Sequence, residues 1–97
     1  MQTRFVLVEC DIHAQVSQQP FRYRAYIADE LFAERTWIWQ DSYLAESFQI
    51  EARPGIYQIK FETVDPQHGM IRVQNHRVLV GPGQIVNHQG HPAVEIT

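Results

Sequence analysis

Residues 52–62 (Ala52-Arg53-Pro54-Gly55-Ile56-Tyr57-Gln58-Ile59-Lys60-Phe61-Glu62) constrain the fold more than any other stretch, because a turn signal runs straight into an alternating strand. Pro54 presets φ for the second position of a turn, and Gly55 offers the positive φ that a type II turn takes next. Downstream, Tyr57, Ile59 and Phe61 fall on one face, and Gln58, Lys60 and Glu62 on the other. A half-buried strand of an antiparallel sheet has this pattern. By the same alternation, Phe48, Ile50 and Ala52 face these side chains from the preceding strand.

The period of two recurs along the chain. Val6, Val8, Cys10, Ile12 and Ala14 share one face of a strand over 4–14; Phe5 and Leu7 on the other face predict a start buried on both sides. Phe21, Tyr23, Ala25 and Ile27 point inward and Arg22 and Arg24 outward, before a tight reversal at Ala28-Asp29-Glu30. Residues 31–39 form a β-rich run that closes at Gln40-Asp41-Ser42. Residues 43–52 read as a strand, with Ser42 available to cap a short helical start. Strands at 70–74 and 77–80 are separated at Asn75-His76 by a hairpin turn or a bend. Gly81-Pro82-Gly83 breaks the chain, 84–86 is a short strand, 87–92 a polar loop and 93–96 the last strand. Seven to nine short strands at this spacing predict an all-β fold, an antiparallel two-sheet β-sandwich forming a single domain over 1–97.

At 97 residues there is room for one core; a chain of this size buries roughly 60–70% of its unfolded surface. Eight basic against eleven acidic residues leave a net charge of −3, unlike the basic face of a nucleic-acid binder. The single cysteine, Cys10, excludes an internal disulfide and sits where a small buried hydrophobe belongs. The apolar run at 5–8 is too short for a secretory leader or a membrane span, so no signal peptide and no membrane association are expected.

The segment from Ala52 to Ile59 resembles the PG-x-Y turn and strand of prealbumin-like and immunoglobulin-like (Ig-like) sandwich modules, including collagen-adhesin B-type repeats. That resemblance implies a structural or interaction module. Some such repeats carry a Lys–Asn isopeptide bond from a first-strand lysine, whereas the lysine of this chain, Lys60, follows the turn. Residues 30–39 with Tyr43-Leu44-Ala45-Glu46 resemble small uncharacterised tailed-phage proteins, which implies a virion or assembly role and a cytoplasmic or virion-associated location.

The aromatic-rich strand is the main candidate site. Trp37 and Trp39 share a face with Arg35 beside them, while Phe32, Thr36 and Ile38 point the other way. Apolar bulk on both sides exceeds what one two-layer core absorbs, so Phe32, Arg35, Trp37, Ile38, Trp39 and Tyr43 are expected at an interface with a protein partner or a second copy. Two alternatives stand beside it: core packing of at least one Trp, and a glycan platform made by Trp37, Trp39 and Tyr43. His88 and His91 are weak metal candidates, short of the three or four ligands zinc needs. Cys10 and His13 fall on opposite strand faces, and neither a Gly-x-Ser-x-Gly elbow nor a phosphate loop is present. Glu34 and Glu46 are placed to face each other across a hairpin. No catalytic residue and no cofactor is expected, and the chain reads as a non-enzymatic interaction module.

Overall fold

Alternation becomes packing at β1 (Arg4–Val16), the centre of the first sheet. In the computed structural model, which describes residues 2–38 and 42–97, the inward side chains Val6, Val8, Cys10, Ile12 and Ala14 are all buried. The strands that follow are β2 (Arg22–Ile27), β3 (Glu30–Thr36), β4 (Tyr43–Ala52), β5 (Gly55–Thr63), β6 (Gly69–Val80), β7 (Gly83–His88) and β8 (His91–Ile96). They form two antiparallel sheets, ordered β4-β1-β6 and β3-β2-β5-β8-β7. The fold is therefore the two-sheet sandwich that the pattern predicts, and residues 43–52 are strand throughout.

The core lies between the sheets. Phe21, Tyr23, Ala25, Ile27, Ile59, Val94 and Ile96 meet the inward face of β1 together with Phe48 and Ile50 of β4. Each large apolar side chain buried here contributes about 1.5–3 kcal/mol. Phe48 lies 5.8 Å from Phe61 across the sandwich and ties the layers together, while Tyr23 lies 6.3 Å from Trp37 within the second layer. The start of β1 departs from expectation, since its second face is not covered: Phe5 is exposed and Leu7 half-buried.

Two turns differ from the sequence reading, and at a third place the structure has the bend rather than the hairpin turn. Gly55 does not take a positive φ; it is the first residue of β5 and pairs with Ile96. The chain at 52–55 passes from one sheet to the other rather than doubling back, so no tight hairpin turn is required. Residues 87–92 are not a loop: β7 and β8 continue to the pair His88–His91 around a two-residue turn, Gln89 (φ 54°) and Gly90 (φ 82°). Asn87 supports that turn by accepting a hydrogen bond from Gly90 N–H at 3.0 Å. Finally, 70–80 is one strand bent at Asn75 (φ 58°), where the β1–β6 register shifts.

One corner is held by charge. Asp65, buried in its loop, accepts from Arg22 N–H at 3.0 Å, Nε at 2.9 Å and Nη2 at 2.8 Å. These bonds, the bidentate guanidinium first, hold its carboxyl below the ordinary value of 3.8. A depressed folded pKa contributes stability that is fully present above that value and is lost as the pH falls below it.

Two outcomes are expected. Gly81→Ala puts a Cβ at 2.3 Å from the Phe5 carbonyl oxygen at a residue with φ +102°. It should lower the unfolding free energy by at least about 1–3 kcal/mol, read from urea midpoints. Acidification below pH 3.8 should lower the wild-type midpoint, and Asp65→Asn should be less stable at neutral pH and show a flatter acid limb.

Candidate interaction surface

β3 and β4 are the edge strands on one side of the sandwich, and their side chains close that side. Arg35 points inward beside Tyr23 and its Nε donates to Glu46 Oε1 at 2.9 Å; Glu46 is only 9% exposed. Phe32 packs edge-on to Phe48, with centroids 5.5 Å apart. The alternation of β3 would have turned Phe32 outward. A bulge between its pairings with Ala25 and Tyr26 leaves Phe32 without a partner in the ladder and brings its ring over the seam, 43% exposed.

The six residues expected at the interface divide accordingly. Trp37 is a core side chain, 1% exposed, and its backbone N–H donates to Phe21 O at 2.8 Å, so the core alternative holds for it. A platform that needs the Trp37 ring at the surface loses it. Trp39 lies outside the described residues. Ile38 is 75% exposed, and Leu31, not singled out in the sequence, is exposed on the outer side of β3. Tyr43 is on the far layer, on the outer face of the β1 sheet, where its hydroxyl donates to Asp11 at 2.8 Å. Glu34 and Glu46 do not face each other. Glu34 pairs with Arg24 at 2.7 Å on the outer face of the second sheet, while Glu46 points into the sandwich.

Sequence reasoning missed two features of the β1 sheet. Its outer face carries a network around Asp11, which accepts from Tyr43, from Asn75 Nδ2 at 2.9 Å and from Arg77 Nη1 at 3.1 Å. Arg77 also pairs with Glu9, which accepts from Ser47 at 3.0 Å. The hydrogen bonds from Asn75 and Tyr43 hold Asp11 below the usual aspartate range. The signal was the polar run at odd positions of β1 (Glu9, Asp11, His13), but the partners come from β4 and β6. At the end of the same face, Phe5 and Leu7 lie beside Leu79 and Val80 (62% exposed) in an uncovered apolar cluster.

Chemistry at the remaining candidates is limited. Burial pushes the Cys10 thiol up to about 12, with the Glu46 charge adding to the effect. The Tyr23 hydroxyl is sealed with no hydrogen-bond partner among the described residues, and burial raises its pKa too. His88 and His91 face each other across the β7–β8 hairpin; among the described residues no group of three or more His, Cys, Asp or Glu could hold a metal ion. Depressions along the surface are shallow, the one between β5, β6 and the start of β8 measuring about 370 Å³. Half-buried His76 lines it, its pKa lowered by desolvation. No protein-family model, curated protein or solved structure matches the chain.

The thiol gives a simple check. In the native protein Cys10 should resist thiol reagents at neutral pH, with labelling tracking global unfolding in urea; fast native labelling would contradict its sealed position.

Proposed function

We propose that the chain is a non-enzymatic protein-interaction module that binds a protein partner through the β3 edge. The observation that carries this reading is the exposure of Leu31, Phe32 and Ile38 on a sandwich whose core is already closed by Trp37, Tyr23, Phe21 and Phe48. Such a strip beside unpaired edge main chain is the kind of surface a partner covers. Arg35–Glu46 and Phe32–Phe48 hold the strip against β4, so it is presented on a rigid support. The bulge at Phe32 breaks the regular edge and disfavours simple strand-on-strand stacking, which fits side-chain recognition.

The test is co-purification from the native source, comparing wild type with Leu31→Ser/Ile38→Ser, a variant whose substitutions are exposed and should leave the fold intact by circular dichroism. A stoichiometric protein partner retained by wild type and lost from the variant is expected. A partner held equally by both, or none at stoichiometric level, would overturn the assignment to β3.

A further inference from the structure

The second sheet contains an edge in its middle. β5 pairs with β8 only over Gly55–Gln58, and with β2 over Ile59–Thr63 on its other side. The direction of the main chain follows from two bonds: Val64 N–H donates to Arg22 O, and Ala28 N–H to Gln58 O, each at 2.9 Å. Even-numbered residues of β5 therefore point their backbone groups toward β2. Ile59, Phe61 and Thr63 point theirs the other way, past the end of the β8 ladder. Continued register would set Ile59 opposite Pro92, which has no N–H to donate, and the ladder ends one pair earlier at Gln58–Ala93. Beyond it the β8 strand ends at the β7–β8 turn, and a depression of about 370 Å³ lies between Lys60 and Phe61, the His91-Pro92 end and Ile71, Val73 and His76 of β6.

The side chains of this half-edge are self-complementary. In antiparallel pairing about a two-fold axis through Phe61, Ile59 and Thr63 exchange main-chain bonds with Thr63 and Ile59 of a second copy, and Phe61 with its own counterpart. That gives roughly six inter-chain hydrogen bonds. On the outer face the same register sets Lys60 directly opposite Glu62 of the second copy, and Glu62 opposite its Lys60. Among the described residues Lys60 makes an exposed contact to Asp29 at 3.2 Å, which costs little to exchange.

Other edges lack this match. Continuous two-fold pairing of β3 about Glu34 or Arg35 opposes like charges, and its bulge interrupts the register. β4 carries Glu46 and Glu51 and no base, and β6 carries Arg72 and Arg77 and no acid, so neither complements itself. We propose that Ile59–Thr63 is the docking edge for a second copy of this chain, forming a two-fold dimer with the β5 strands antiparallel and Lys60–Glu62 pairs on its outer face. It shares with the preceding section only the premise that the chain binds protein, and it uses different residues.

Charge reversal tests it by sedimentation velocity on the intact chain. Lys60→Glu and Glu62→Lys should each weaken self-association about tenfold, since each creates two like-charge oppositions. The double variant Lys60→Glu/Glu62→Lys should recover it. A mixture of the two single variants should form the heterodimer, which shows that both remain folded. Leu31→Ser/Ile38→Ser should dimerise like wild type, separating this edge from the β3 surface. A wild type monomeric at high concentration, self-association indifferent to the reversals, or a mixture that fails to pair would each overturn the proposal. Charge-indifferent growth into open oligomers would instead implicate the acidic β4 and basic β6 edges in head-to-tail contact.

Discussion

β5 carries the second sheet, because its two halves are hydrogen-bonded to different neighbours. The first half is tied to the β8–β7 hairpin, and the second to the β2–β3 hairpin. Neither hairpin reaches the other, so the sheet is staggered and the molecule elongated, 45 Å along one axis and 22 Å across the others. The long strand β1 runs across both halves, and its buried even-numbered face holds them to one core.

Polar groups reinforce this frame where apolar packing stops. The open side between β3 and β4 is closed by Arg35 and Glu46, and the far corner by Arg22 and Asp65. In both pairs a nearly buried carboxylate meets a partly exposed guanidinium, which spares the arginine much of its desolvation cost. The network of Arg77, Glu9 and Asp11 crosses the bulged part of β6, where the regular ladder is interrupted. Side-chain bonding there compensates for main-chain bonding that the bulge removes.

Strict alternation made the inward faces of β1, β2 and β5 readable from residue order, down to the burial of Cys10 and Ile59. The reversal at Ala28-Asp29 was legible for the same reason, as a polar break between alternating runs. What stayed hidden was non-local or broke the period. Phe32 crossed to the seam because a bulge added one residue to β3. Gln89 adopts a left-handed backbone without the Asn or Asp that usually marks such a turn, so residue order does not announce the β7–β8 hairpin. Trp37 is ambiguous in the sequence because the run at 31–39 carries bulk on both sides, and only the packing decides which side is sealed. The ion pairs of Glu46 and Asp11 join residues from separate strands, and no local spacing announces them.

Pro92 has a consequence in evolutionary terms. Any residue with a main-chain N–H at this position could extend the β8 ladder along β5 and begin to close the gap in the sheet. The β8 strand begins at His91, just after the Gln89-Gly90 turn, so such a replacement shortens the open stretch of β5 by two residues at most and leaves Phe61 to Thr63 unpaired by β8. The extent of the gap is thus set jointly by one imino acid and by where the last hairpin turns.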